Sequence, residues 1–191
     1  ISNIKNLPID ENGYVDFSKD LFSKRCYLTV SGQLEGETLA CGLGKIYTFG
    51  PTFRAENSNT YRHASEFWMV EPEMAFYDLY DDMDLAEDFV KSITKHVLEN
   101  CSFDLELFSR FVEPNLINNL KNVIETKYER LSYSDAITIL EKENHRFEKK
   151  IKWGDDLATE HERFLVEFYF KKPVILFNKP KNIAAFYMKL N

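Results

Sequence analysis

The chain has 191 residues, of which 44% are hydrophobic and 29% charged, with 7 Gly and 6 Pro; these proportions exclude collagen-like, low-complexity and disordered polypeptides and allow one sizeable core or two small ones. Lys and Arg number 24 against 31 Asp and Glu, a net charge of −7, so any nucleic acid must be held by a local patch rather than by bulk charge. No apolar run approaches the ~18 residues of a membrane span, no basic and apolar leader is visible, and Cys26, Cys41 and Cys101 are too few and too scattered for a disulfide framework, which fits a reducing compartment.

Residues 1–24 are polar and turn-rich, with Asn12-Gly13 suited to a tight turn. The β-prone run 27–30 ends at Ser31-Gly32, and Ser31 is placed to cap a helix carrying Leu34, Thr38, Leu39 and Cys41 that Gly42 and Gly44 close. Residues 45–49 read as a strand, interrupted by the turn signal Gly50-Pro51. A long hairpin is expected over 52–76, with arms 52–56 and 66–76 about a loop at Asn57-Ser58-Asn59-Thr60. Strand alternation sends Trp68, Val70, Met74 and Phe76 to one face, read as the core face, and Phe67, Met69, Glu71 and Glu73 to the other.

Beyond the hairpin, Leu79, Met83, Ala86, Val90, Ile93 and Val97 form a helical stripe, and acidic residues crowd its start, where the helix dipole favours them. Further helices are expected after Pro114, after Ser132 or Ser134, and after the turn Trp153-Gly154-Asp155-Asp156, the last broken by Pro173. Residues 174–177 and 185–190 read as strands. With strands at both ends, helices between and no βαβ alternation, the expected class is α+β with an antiparallel sheet flanked by helices. A chain that opens on Ile1 and closes on a strand-like run reads as an excerpt of a longer one.

The densest polar cluster is Arg54, Glu56, Arg62, His63, Glu66, Glu71 and Glu73. A guanidinium fork suits phosphate because it gives two parallel charge-assisted bonds. If the arms align, one surface offers that fork, the Phe67 ring for a base and carboxylates for amino groups. The same residues also suit a solvent-facing hairpin with cross-strand Arg–Glu pairs. No metal site stands out among the 4 His. Gly42-Leu43-Gly44-Lys45 lacks the spacing of a phosphate loop.

The run Tyr47-Thr48-Phe49-Gly50-Pro51-Thr52-Phe53-Arg54-Ala55-Glu56, with Arg62-His63 and Glu66-Phe67-Trp68-Met69-Val70-Glu71-Pro72-Glu73, resembles motif 2 of the class II aminoacyl-tRNA synthetases, most closely the asparaginyl members. Leu28-Thr29-Val30-Ser31-Gly32-Gln33-Leu34, Trp153-Gly154-Asp155-Asp156-Leu157 and Phe186-Tyr187-Met188-Lys189-Leu190-Asn191 are similar to the same family. The resemblance implies a partial class II catalytic domain over 1–191, without motif 1, motif 3 or the anticodon-binding domain. It implies activation of asparagine with ATP and transfer to tRNA(Asn) in a full-length, cytoplasmic homodimer, the isolated segment being inactive.

Carried onto this sequence, Arg54 would be catalytic, binding the α-phosphate and the amino-acid carboxylate. Glu56 would meet the adenine amino group, Arg62 and His63 the outer phosphates, and Phe67 the adenine ring. Gln33 would bind the α-amino group and Glu71 the side chain of the amino acid. Mg2+ is implied, with ligands mostly outside this chain, and Glu73 would support the site or the ion. Aspartyl members carry a Lys where this chain has Gly36 and an Asp where it has Glu71, so the resemblance implies asparagine over aspartate. Two other readings remain: an ATP-dependent ligase of the same fold that amidates aspartate, and a non-catalytic paralogue serving as a binding module.

Overall fold

A computed structural model describes residues 7–55 and 64–190, so Glu56, Arg62 and His63 lie outside the described residues. The chain divides into two compact units, Ile1–Tyr77 and Asp78–Asn191.

In the first unit the expected turn forms at Gly13, whose φ of 82° suits glycine. The Asp10 carboxylate accepts the Asn12 and Tyr14 N–H groups, each at 2.9 Å. Helix α1 (Gln33–Leu43) stops at Gly44, again at positive φ, whose N–H bonds the Ala40 carbonyl. Strands β1 (Lys45–Phe53) and β2 (Glu66–Met74) then pair antiparallel, from Lys45 opposite Met74 to Phe53 opposite Glu66.

Gly50-Pro51 does not interrupt β1, contrary to the sequence reading, and the ladder explains why. Arg54 N–H bonds the Ser65 carbonyl at 3.0 Å, which makes 54/65 a hydrogen-bonded pair. By alternation Pro51, opposite Trp68, falls in a non-hydrogen-bonded pair, where its nitrogen points away from β2. The proline therefore removes no bond from the hairpin. It limits the other edge instead: Phe53 N–H bonds the Thr29 carbonyl at 2.8 Å, but the next outward position on β1 is Pro51, which has no N–H to give. Residues 27–30 accordingly stay outside any strand.

The expected core face of the hairpin is also reversed. Trp68 is 63% and Phe76 100% exposed, whereas the face with Phe67, Met69, Glu71 and Glu73 is the more covered one. Helix α1 packs there through Gly36 and Ala40, both buried.

The second unit opens with α2 (Leu79–Asn100), started by a capping box in which the Asp78 carboxylate accepts the Asp81 N–H and Asp81 accepts that of Asp78. Helices α3 (Ser102–Phe111) and α4 (Leu116–Glu125) follow, and α3 had no counterpart in the sequence reading. Strand β3 (Glu129–Ser132) leads into α5 (Tyr133–Lys142), capped by Ser132 Oγ accepting the Asp135 N–H. Helix α6 (Thr159–Arg163) runs on as a π-helical segment, Phe164–Tyr169. Strand β4 (Val174–Phe177) pairs with β3 in parallel. That pair is a parallel crossover where the sequence shows no βαβ alternation and an antiparallel sheet is expected, because a four-residue strand with one buried Leu131 carries no alternation to detect. Residues 185–190 form no strand: Met188 N–H closes a turn onto the Ala185 carbonyl at 3.0 Å.

Leu131, Tyr133, Ala136, Ile137, Leu140, Phe147, Ile151, Phe164 and Leu165 build the core of this unit. Of the polar groups buried in this unit, Ser109 Oγ, Tyr128 Oη and Arg130 Nε have no hydrogen-bond partner among the described residues, whereas Tyr133 and His161 are paired. Tyr133 Oη donates to the Asp155 carbonyl and accepts the Gly154 N–H, and fully buried His161 accepts the Ala158 N–H at Nδ1 while Nε2–H faces the Lys149 carbonyl at 2.8 Å.

Candidate active site

The β1–β2 register places Thr48 opposite Glu71, Gly50 opposite Met69 and Thr52 opposite Phe67. Because side chains alternate, Thr48, Thr52 and Arg54 share a face with Phe67, Met69, Glu71 and Glu73. The pairing condition left open in the sequence is met for Arg54, Phe67, Glu71 and Glu73.

Arg54 directly follows β1, at the end of the strand pair where Phe53 stands opposite Glu66. Its guanidinium carbon stands 5.3 Å from the Phe67 ring centroid, Nε donates to the Val30 carbonyl at 3.4 Å, and Nη2 is 3.7 Å from Met69 Sδ. The ring and the carbonyl hold a long cationic side chain in one orientation over the sheet face, the preorganisation an anion-binding group needs. What lies over Phe67 in this structure is therefore the guanidinium.

Glu71 lies farther along the same face, gripped by three donors. Ser31 Oγ–H donates to Oε1, while the Gly32 N–H and Thr48 Oγ1–H donate to Oε2 at 2.9 and 3.1 Å. Burial pushes the carboxyl up, but the bonds from Ser31, Gly32 and Thr48 and the charge of Arg54 outweigh it, and Glu71 sits below its ordinary value. It is an anion at neutral pH.

Close backbone approach makes this grip possible. A Cβ on Gly32 would meet Thr48 Oγ1 at 2.6 Å, and one on Gly36 would meet Glu73 Cγ at 3.0 Å. Both glycines let the start of α1 settle onto the strands. Gly32, not Ser31, is the N-cap residue: Ser31 Oγ accepts the Gln33 N–H at 3.0 Å and donates its own O–H to Glu71. The Gln33 backbone is thus tied to the Glu71 cluster, while its side-chain amide bonds Glu37 Oε1 at 2.8 Å, one turn along α1.

Sequence reasoning did not find Thr48 and Gly32, and gave Ser31 a capping role only. Thr48 has the same strand parity as Arg54, but its partner depends on the register, which the sequence did not fix. Among the described residues no cluster of three or more His, Cys, Asp or Glu could hold a metal ion, and the Glu71 oxygens are already engaged. The described residues do not fit a Mg2+ site. No helix among them is long and apolar enough to cross a membrane.

A sheet face that carries an oriented guanidinium, an aromatic ring and a fixed carboxylate suits an anionic nucleotide together with a small polar ligand. Residues 10–191 match the sequence pattern of the tRNA synthetases class II (D, K and N), and the chain belongs to that family. Within it, the chain is 57% identical over 189 residues to an asparagine–tRNA ligase of Cytophaga hutchinsonii, and 60% identical over 179 residues to one of Protochlamydia amoebophila. These matches take in 99% and 94% of the chain but only 41% and 38% of the relatives, so the chain spans about two fifths of their length. Among solved structures, the asparaginyl-tRNA synthetase of Pyrococcus horikoshii complexed with asparaginyl-adenylate superimposes with a TM-score of 0.76 at 38% identity, covering 90% of this chain and 37% of that one.

Proposed function

We propose that this chain is the motif 2 part of the catalytic domain of an asparagine–tRNA ligase and acts within a longer polypeptide. The observation that carries the reading is the shared face on which oriented Arg54 and anionic Glu71 lie along one strand pair. The similarity to asparagine–tRNA ligases supports it.

In this reading the asparagine carboxylate attacks the α-phosphate of ATP in line and pyrophosphate leaves. Arg54 touches both reacting groups, offsets their mutual repulsion and stabilises the charge that builds on the phosphoryl oxygens. Phe67 gives the adenine a flat apolar surface once the Arg54 guanidinium, which lies over the ring in this structure, swings off it towards the phosphate. Glu56 accepts from the adenine amino group, and Arg62 and His63 meet the outer phosphates. Gln33 takes the α-amino group through its amide oxygen Oε1, which accepts, while Nε2 keeps donating to Glu37. Glu71 accepts from the side-chain amide NH2 of asparagine. An aspartate carboxylate would offer Glu71 no proton and would repel it at close range, so like charge and lost pairing both count against aspartate. The terminal ribose hydroxyl of tRNA(Asn) then attacks the carbonyl of the mixed anhydride, forming the asparaginyl ester as AMP leaves.

Magnesium would neutralise phosphate charge, held by ligands mostly outside this chain. A homodimeric, cytoplasmic ligase belongs to the same reading. The full-length ligase tests it through AMP formation with each amino acid. Asparagine should be activated at least about a hundredfold more efficiently than aspartate, as a buried polar contact can discriminate by that much or more. Comparable kcat/KM values for the two would overturn the assignment of Glu71.

A further inference from the structure

We infer that Thr48 and Ser31 are positioning residues for amino-acid selection: with the Gly32 N–H they fix the Glu71 carboxylate so that one acceptor position remains for the substrate's side-chain amide. The inference rests on the role of Glu71 proposed above and adds what makes that role selective. An ionised carboxylate has about four lone-pair positions. Three are filled, one on Oε1 by Ser31 and two on Oε2 by Gly32 and Thr48. What is left is a single position on Oε1, which takes one N–H and has nothing to offer a second carboxylate.

The three donors come from two separate pieces of chain, the turn before α1 and the middle of β1. Thr48 is β-branched and stiff at χ1, so its hydroxyl is a fixed donor. Gly32 reaches Glu71 only because it has no Cβ to strike that hydroxyl. The donors also keep the carboxyl ionised against its partial burial. If Glu71 were protonated it could donate to a substrate carboxylate, and the distinction between amide and acid would fade.

The test uses the full-length ligase with Thr48→Val, which keeps the shape and removes the donor, and Thr48→Ser, which keeps the donor. Thr48→Val should raise the KM for asparagine about tenfold or more, as loss of a bond to a charged group implies, with kcat and the KM for ATP nearly unchanged. The acidic limb of kcat/KM for asparagine should move to higher pH, and the preference over aspartate should narrow. Thr48→Ser, which keeps the donor on a less stiff side chain, should recover most of what Thr48→Val loses. Ser31→Ala, which removes the donor to Oε1, should show the same split and keeps the proposal testable if the valine variant misfolds.

An asparagine KM unchanged in both Thr48→Val and Ser31→Ala would overturn the inference. So would equal rises in the KM for asparagine and for ATP, because those report a distorted hairpin. Glu71→Gln separates this failure from that of the underlying reading. If Glu71→Gln leaves the asparagine KM unchanged, Glu71 is not the selecting group; if it raises that KM sharply while the Thr48 and Ser31 variants are silent, only the positioning role falls.

Discussion

The two units order their side chains by different means. In Ile1–Tyr77, the buried positions among the described residues are Gly36, Ala40 and Thr52, and large apolar groups such as Tyr47, Phe49 and Trp68 stand exposed. In Asp78–Asn191, nine residues close a core around Tyr133, Ile137 and Leu140. The first unit carries the candidate chemistry and is held by a strand ladder, two close glycine contacts and the grip on Glu71. The second carries none of the proposed ligand contacts and is held by apolar burial. Hydrogen-bonded regions with few buried contacts sit at the low-stability end of a protein, where ligand-binding elements are commonly found. The difference teaches that precision at the site is local and polar here, and that stability is to be looked for elsewhere.

Two substitutions should separate these roles most clearly. Arg54→Ala in the full-length ligase should lower asparagine-dependent pyrophosphate exchange by about 10²–10³-fold, the scale of losing a donor aimed at transition-state charge. Because Arg54 is exposed, thermal unfolding should shift little. Leu140→Ala should do the reverse. Leu140 is fully buried, and its truncation should cost about 3 kcal/mol through lost burial and a cavity, seen as a lower denaturation midpoint, while the KM values of the surviving folded protein stay as they were. Exchange within a few-fold of wild type for Arg54→Ala, or a silent Leu140→Ala, would break the comparison.

How far the sequence anticipates this follows the same divide. Long periodic segments are legible: α2 and its acidic cap at Asp78, α4 after Pro114, and α5 behind Ser132 all form where their patterns place them. The face shared by Phe67 and Glu71 follows from strand parity alone, and Arg54 joins it through the register of the arms. The errors arise where the outcome depends on a partner distant in sequence. Pro51 reads as a break because its ladder position is invisible without the register. Residues 27–30 and 185–190 have strand composition but lack a complementary edge. Trp68 and Val70 read as core because their faces were judged by apolarity, whereas α1 packs on the opposite face, where Gly36 leaves room. Thr48 escaped for the same reason: a threonine on a strand means little until Glu71 is known to stand across from it.

Acid should bring out a smaller difference. Glu71 and Glu87 both sit below their ordinary value of 4.5. In each, burial pushes the carboxyl up and hydrogen bonds from partners pull it further down: Ser31, Gly32 and Thr48 for Glu71, and Lys91 with the Tyr128 N–H for Glu87. A carboxyl with a lowered folded pKa binds protons more weakly folded than unfolded, so its stabilisation is present above 4.5 and is lost as pH falls through that value towards the lowered one. Acidification across this window should loosen the turn at Ser31 and Gly32 first, because little apolar burial backs it up. Relative to its intrinsic rate, which itself falls in acid, amide exchange should accelerate at Gly32 and Gln33 while the amides of α5, backed by the core, stay protected. Equal acceleration in both places would mean that the first unit has stabilisation beyond its polar contacts.

The smallest effect is expected on the outer face of the hairpin. Phe49 and Trp68 pack with ring centroids 5.1 Å apart and tilted by 52°, yet they remain 62% and 63% exposed. Removing one partner gives up the pair contact and little else, because each ring already keeps most of its surface in water. An aromatic pair contributes about 0.5–1.5 kcal/mol beyond area burial, and exposure on this scale argues for the lower end. Trp68→Ala in the 191-residue chain should therefore lower the denaturation midpoint by a fraction of the Leu140→Ala shift. The quenching and spectral maximum of Trp68 fluorescence, read in a variant in which Trp153 is replaced by Phe, should report a largely hydrated indole. A blue-shifted emission together with a loss of stability matching Leu140→Ala would show that this face is buried as deeply as the core of the second unit. In that event the contrast between a polar, lightly packed site unit and an apolar, closed one would fail at its most exposed residue.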